Sequence, residues 1–170
     1  MSPSPKDTTP LDSLPVGRLG IIPLKSCSAL GARVNDYIVD WRKDREYSHF
    51  NNLEFEGYER DSYFVSFRKN TINEVTESPL YRNYKANNYQ VDCSCPRFGS
   101  GEAKGILKET IRGTDLFIMT DVCNYSLTYS LCGQTNHMSP DDHFQDLKRV
   151  IAAIAGKARR VNVIMPFLYE

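Results

Sequence analysis

The last third of the chain carries the pattern that most restricts its fold: an apolar run, an amphipathic helix and a second apolar run. The first run, "DLFIMTDV" at Asp115–Val122, is nearly continuous in apolar residues, as strands buried on both faces of a parallel sheet are. "RRVNVIMPF" at 159–167 reads as another buried strand. A strand, a helix and a strand in this order form a βαβ unit with a right-handed crossover. The pattern therefore predicts an α/β fold with a largely parallel sheet flanked by helices.

The helix between the two runs has clear start signals in "SPDDHFQDLKRVIAAIAGKA". Ser139 is the predicted N-cap, and Pro140 occupies the first helical position. Asp142 follows the cap by three residues, which predicts a capping box. The predicted buried stripe is Phe144, Leu147, Ile151 and Ile154.

Strand and helix patterns also occur before this unit. "LGIIPLKS" at 19–26 predicts a first buried strand, and "SALGARVNDYIVDWRKDR" predicts an amphipathic helix with Ser28 as N-cap. "NYQVDCSC" and "AKGILKETIRG" alternate as strands do. The apolar face of the first helix is predicted to be Leu30, Val34, Tyr37, Ile38 and Trp41.

Two segments do not follow these patterns. Residues 1–18 are predicted to be a flexible leader, because four prolines and several Ser/Thr residues crowd its first fifteen positions. Residues 45–88, rich in Tyr, Asn, Glu and Arg, are predicted to be an insertion, with "DSYFVSF" at Asp61–Phe67 as a possible strand. Residues 19–170 are predicted to form one domain that contains this insertion.

Charge and cysteine content exclude several classes of protein. The 170 residues carry 21 basic and 21 acidic side chains, so no overall field attracts nucleic acid or an anionic membrane. No stretch is long and apolar enough to span a bilayer. Five cysteines in a chain of this length do not indicate a disulfide framework. We expect a cytoplasmic protein that contacts neither nucleic acid nor membrane.

Cys93 and Cys95 lie one residue apart and raise the question of a metal site. In a strand the two thiols point to one face, but structural zinc needs two further ligands. The candidates are His137 and His143, six residues apart at a helix start. We therefore predict that both cysteines are small residues on the buried face of a strand, and that the chain holds no metal site.

The next residues, "PRFGSGEAKG", have the composition of a ligand-binding loop. Phe98 can present its ring to a planar group, and Glu102 can accept hydrogen bonds from an exocyclic amine. Gly99, Ser100 and Gly101 allow a ligand to approach the backbone. Arg112, before a glycine turn, can hold a phosphate with its planar guanidinium. From the residues alone, an ordinary glycine-rich turn between two strands is the favoured interpretation.

The segment "PRFGSGEAKGILKETIRGTDLFIM" resembles the N-terminal domain of ribose-phosphate diphosphokinase, also called phosphoribosyl pyrophosphate synthetase. The family shows Arg-Phe or Lys-Phe, small residues and a Glu, then a strand, the signature "ES-V-R-G", an acidic residue and a buried strand. "FQDLKRVIAAIAGKARRVNVIMPF" and "LGIIPLKSCSALGARVNDYI" resemble its βαβ unit and its first strand and helix. The matching positions are Arg97, Phe98, Ser100, Glu102, Glu109, Arg112, Gly113, Asp115 and Leu116–Met119.

This resemblance implies a type I phosphoribosyltransferase-like fold, of which the chain is the N-terminal half. It also implies transfer of the diphosphoryl group of ATP to ribose 5-phosphate, with Mg²⁺ whose ligands lie outside this chain. Phe98, Ser100 and Glu102 would contact the adenine of ATP, and Arg112 would lie near a regulatory phosphate site. The resemblance further implies a homo-oligomer that completes the active site.

Two expectations about activity follow from the resemblance. No catalytic residue is assigned within these 170 residues, so the chain alone is expected to be inactive. The alternative is a non-catalytic regulatory or assembly subunit of the same fold. A third class, a free-standing nucleotide-binding module, would require measurable ATP affinity in the isolated chain.

Overall fold

The structure is a computed structural model that describes residues 16–55, Asn83 and residues 85–169, with the side chains of residues 45–55 left out of the description. Two helices occur in this part of the chain: α1 at Ser28–Phe55, after a short 3-10 turn at Lys25–Cys27, and α2 at Pro140–Ile154. The strands are β1 (Arg18–Pro23), β2 (Cys93–Ser94), β3 (Ile106–Leu107), β4 (Thr114–Met119), β5 (Thr128–Leu131), β6 (Gln134–His137) and β7 (Arg160–Ile164).

The central sheet has the order β1-β4-β7, and both of its strand pairs are parallel. A further parallel bridge joins Ile21 to Gln90 at the other edge of β1. β4 and β7 are neighbours in the sheet and are connected through α2, so the predicted βαβ unit is confirmed. The predicted α/β class with a parallel sheet is confirmed with it.

The helix α2 covers one face of the sheet and begins as predicted. The Ser139 hydroxyl accepts a hydrogen bond from the Asp142 amide, and the Asp142 carboxylate accepts one from the Ser139 amide. The predicted stripe is partly wrong, because Val150 is buried and Ile151 is 40% exposed. The cluster on this face consists of Ile22, Leu24, Val91, Ile111, Leu116, Ile118, Leu147, Val150 and Ile154.

The helix α1 packs through a different face from the one its apolar pattern predicts. At Gly31 the helix lies against the sheet, and an added Cβ atom would be 2.3 Å from Cβ of Pro23. Gly31 and the residues one and two turns further along, Asn35 and Val39, are buried. A small residue lets two backbones come close together, so Gly31 determines which side of α1 faces inward. Leu30, Tyr37 and Trp41, predicted to be buried, are 41%, 55% and 67% exposed.

The segments around β2 and β3 form less strand than their alternation predicts. Only two residue pairs join β2 and β3, Cys93 with Leu107 and Ser94 with Ile106. At Gly105 an added Cβ would lie 2.4 Å from the carbonyl oxygen of Arg149. The chain therefore runs directly against the backbone of α2 at this point, and the antiparallel pairing resumes beyond it as a single bridge between Arg97 and Ala103.

The last strand is less buried than expected. "RRVNVIMPF" predicts a buried strand, but Val161 and Val163 of β7 are 38% and 43% exposed. In the described part of the chain β7 pairs with β4 alone, and an edge strand keeps part of its surface open to solvent.

The predictions for the leader and for part of the insertion fall outside the described residues. Residues 1–15 of the predicted leader and the possible strand Asp61–Phe67 lie outside the described residues. β1 already includes Arg18, the last residue assigned to the leader, and α1 continues beyond residue 45 into the predicted insertion. No helix in the described ranges combines the length and the apolarity needed to cross a bilayer.

Candidate functional site

The segment from Arg97 to Ala103 forms a tight hairpin, which we call the 98–102 loop. An antiparallel bridge between Arg97 and Ala103 closes its base. Within the loop the Phe98 amide donates to the Glu102 carbonyl oxygen at 2.7 Å, and the Gly101 amide donates to the Phe98 carbonyl oxygen at 2.9 Å. Gly101 has φ +89, a conformation that glycine adopts without strain. The loop therefore has a defined backbone shape held by its own hydrogen bonds.

The three predicted ligand-contacting side chains are together at the surface of this loop. Phe98 is 49% exposed, and Ser100 and Glu102 are exposed as well. Gly99 has no heavy atom within 4 Å of the position where a Cβ would be, so there is open space beside the backbone. An aromatic ring, a hydroxyl and a carboxylate are thus exposed on one short loop. This set can bind a planar, amine-bearing group by stacking and hydrogen bonding.

The base of the loop is anchored by a shielded arginine. The Arg97 side chain is only 8% exposed. Its Nη1 atom lies 3.0 Å from Oδ1 of Asp146, and its Nη2 atom lies 3.3 Å from Oδ2 of the same carboxylate. Asp142 lies 3.7 Å from Nη2. The guanidinium is therefore directed at the first turns of α2 and away from the exposed loop surface.

A second hairpin, β5–β6, packs beside the loop. The Tyr129 ring centroid is 5.0 Å from the Arg97 guanidinium carbon, and the Cys132 thiol lies 3.6 Å from the Gly99 carbonyl oxygen. This element was not predicted from the sequence. Its two-residue turn is Cys132-Gly133, with φ 50 and 78, and the glycine at the second turn position was its local sequence signal.

Arg112 is not part of this group. It is exposed in the turn before β4, and its carbonyl oxygen accepts a hydrogen bond from Arg18 at 3.4 Å. The next residue, Gly113, donates to the Lys157 carbonyl oxygen beyond the end of α2. Arg97 contacts the start of the same 15-residue helix, which is about 22 Å long at about 1.5 Å per residue. The loop and Arg112 therefore lie near opposite ends of α2.

The two cysteines before the loop are partly buried thiols. Burial raises the pKa of Cys93 to about 11 and that of Cys95 to about 12, with nearby aspartates adding to both shifts. In the metal-free chain both thiols are therefore protonated at neutral pH. His143 instead contacts the Asn124 carbonyl oxygen, and His137 that of Tyr125. Among the described residues, no three His, Cys, Asp or Glu side chains are grouped so as to hold a metal ion.

The carboxyl ends of β1 and β4, where α/β folds place ligands, are linked by polar contacts. The Asp121 amide donates to the Ser26 hydroxyl at 3.0 Å, and the Asn124 side chain donates to the Ser26 carbonyl oxygen at 3.1 Å. At the opposite end of the sheet, Arg160 pairs with Asp115, with Nε 2.7 Å from Oδ1.

Comparison with known proteins supports the resemblance found in the sequence. A family model for the N-terminal domain of ribose phosphate pyrophosphokinase matches residues 67–170. The match includes the 98–102 loop, Arg112 and the whole βαβ unit. No curated protein matches the chain. Because the family model covers more than half of the chain and the fold has the parallel sheet expected of it, this chain belongs to the family of ribose phosphate pyrophosphokinase N-terminal domains.

Proposed function

We propose that this domain acts in a ribose-phosphate diphosphokinase and that its 98–102 loop binds the adenine of ATP. The enzyme would transfer the β,γ-diphosphoryl group of ATP to the 1-hydroxyl of ribose 5-phosphate, for nucleotide biosynthesis. The observation that carries the proposal is the exposed set of Phe98, Ser100 and Glu102 on a loop whose backbone is held by internal hydrogen bonds.

Each of the three side chains has a chemical task in this proposal. The half-exposed Phe98 ring would stack on the purine, which is worth about 1–3 kcal/mol per base on aromatic side chains. The Glu102 carboxylate would accept a hydrogen bond from the exocyclic amine, and the Ser100 hydroxyl would bond to a ring nitrogen. The domain thus binds and orients the nucleotide, while positioning and charge neutralisation drive phosphoryl transfer.

Mg²⁺ is part of the proposal as the ion that neutralises the phosphate charge. The resemblance implies that its ligands lie outside this chain, and the described residues contain no group of three side chains suited to a metal ion. This domain is therefore assigned the nucleotide contacts alone. A homo-oligomer is proposed on the resemblance, and light scattering of the purified protein tests it.

The main test is Phe98→Ala in the full-length protein that contains this domain. We expect the apparent KM for ATP to rise about 5- to 150-fold, because about 1–3 kcal/mol of stacking is lost, while the KM for ribose 5-phosphate stays within twofold. Tyr37→Ala is the matched control, since Tyr37 is similarly exposed but lies on α1, at the other face of the sheet. An unchanged KM for ATP in a folded Phe98→Ala protein would refute the adenine assignment.

The same preparations distinguish the enzyme from a regulatory or assembly subunit. The enzyme forms phosphoribosyl diphosphate from ATP and ribose 5-phosphate in a coupled assay. A folded full-length protein that makes no product, yet alters the activity of a catalytic relative, would instead support the non-catalytic alternative.

Arg112 is proposed as part of a regulatory phosphate site. The Arg18 guanidinium donates to the Arg112 backbone carbonyl oxygen near the amino ends of β1 and β4, and Arg112 itself is exposed. An anion bound at this turn would therefore lie near two basic residues. Arg112→Ala should abolish the response of the activity to inorganic phosphate without raising the KM for ATP. Full retention of the phosphate response would remove Arg112 from this role.

A further inference from the structure

We propose that Arg97 is a positioning residue that fixes the 98–102 loop onto α2, so that Phe98 is held in place before any ligand arrives. The effect on ATP binding rests on the proposed function. The anchoring contacts do not, because they are made entirely within the described chain.

The Arg97 side chain makes a bidentate contact with Asp146. Its Nη1 and Nη2 atoms each lie near a separate carboxylate oxygen of Asp146, at 3.0 and 3.3 Å. A bidentate guanidinium–carboxylate pair restricts orientation as well as distance. Because Arg97 directly precedes Phe98, a fixed Arg97 also restricts the backbone from which the Phe98 ring projects.

Burial makes this pair stronger than an ordinary surface ion pair. The side chains of Arg97 and Asp146 are 8% and 14% exposed, so solvent and salt screen their attraction poorly. The guanidinium is also covered by the Tyr129 ring at 5.0 Å, a distance suited to a cation–π contact. The Arg97 side chain therefore connects the 98–102 loop to both α2 and the β5–β6 hairpin.

These contacts also show what Arg97 does not do. A basic residue next to a nucleotide loop suggests phosphate binding, but the Arg97 charge faces Asp146 and Asp142. Its contribution to ATP binding would be preorganisation, because a loop that is already ordered loses less conformational entropy when it binds.

The experiment compares Arg97→Ala with Arg149→Ala in the full-length protein. Arg149 is a matched control, since it contacts the same Asp146 carboxylate at 2.8 Å but lies within α2. In Arg97→Ala we expect the KM for ATP to rise about tenfold, with kcat and the KM for ribose 5-phosphate within twofold. The amides of Phe98 and Gly101, which close the loop, should exchange with solvent about tenfold faster in hydrogen-exchange measurements. Arg149→Ala should change neither quantity.

Arg97→Lys keeps the protein testable if Arg97→Ala does not fold. Lysine keeps the charge without the planar fork, so both changes should occur in the same direction and be smaller. Equal loss of affinity for both substrates, or equal effects of Arg97→Ala and Arg149→Ala, would overturn the proposal.

The two proposals fail in different ways. Suppose that amide hydrogen exchange becomes faster in Arg97→Ala while the KM for ATP is unchanged in both Arg97→Ala and Phe98→Ala. This result supports the anchoring role of Arg97 and rejects the adenine assignment. If amide exchange is unchanged in Arg97→Ala but the KM for ATP rises in Phe98→Ala, the anchoring role is rejected and the proposed function stands.

Discussion

The two faces of the central sheet are covered by helices of very different character. Among the described residues, nine buried residues form one apolar cluster with the sheet on the α2 face. On the α1 face the cluster of described residues has five buried members, Ile21, Cys27, Val39, Tyr89 and Met119. Here a polar side chain of the helix, Asn35, is 5% exposed and accepts a hydrogen bond from the Tyr89 amide at 2.8 Å. The α2 face is held by apolar area, while the α1 face depends on close approach and a specific hydrogen bond.

This difference explains why one helix could be predicted in more detail than the other. Amphipathic periodicity identifies the inward face when apolar burial determines the packing. On α1 the inward face is determined by a glycine at the contact with Pro23, and the larger apolar residues lie to the side. The comparison makes distinct predictions for the two faces, tested by urea unfolding of the chain.

The largest effect is expected on the α2 face. Leu147→Ala should lower the free energy of unfolding by about 2–5 kcal/mol, because it removes apolar contacts and leaves a cavity at a residue that is 3% exposed. Gln145→Ala, on the exposed side of the same helix, is the control and should change little. A loss below about 1 kcal/mol for Leu147→Ala would contradict the assignment of the main core to this face.

The second effect tests the polar contact of the α1 face. Asn35→Ala should cost about 1–3 kcal/mol, because it removes the acceptor of a buried amide. Arg33→Ala, at an exposed position of the same helix, should stay within about 0.5 kcal/mol. If the Asn35→Ala and wild-type chains had equal free energies of unfolding, the hydrogen bond would be dispensable. Buried apolar area alone would then hold α1 against the sheet.

The third effect concerns the start of α2, which also contains Asp142 and Asp146, the two carboxylates that Arg97 contacts. Ser139→Ala should cost about 1 kcal/mol, because the Asp142 amide loses its capping acceptor. Ser139→Thr retains a hydroxyl and should recover most of this loss. If the threonine variant were as unstable as the alanine variant, the cap would not be the cause.

The smallest effect is expected on the outer side of α1. Trp41→Ser should change the free energy of unfolding by less than about 0.5 kcal/mol, because Trp41 is 67% exposed. A destabilisation above about 1 kcal/mol would indicate that this side of α1 is covered in solution, and the contrast between the two faces would then be weaker than described.

The exposed loop was predictable from the sequence, and the contacts that support it were not. Local composition indicated a glycine-containing loop with chemical groups at its surface, and the family resemblance assigned ligand contacts to Phe98, Ser100 and Glu102, which stay a prediction. The partners of Arg97 were not predictable, since Asp146 is 49 positions away along the chain. Asp142 was predicted only as part of the capping box, and the packed structure shows that Asp142 and Asp146 both face Arg97.

The sequence by itself determined the elements whose signals are local: the capped helix α2, the apolar strands β1 and β4, and the glycine-containing loop. These follow from periodicity, capping and turn chemistry, which act over a few residues. The tertiary structure decided which side of α1 is buried, how little of the β2–β3 segment forms a ladder, and what holds the loop. Those outcomes depend on contacts between residues far apart in the chain, such as Gly105 against Arg149 and Arg97 against Asp146, and no local pattern encodes them.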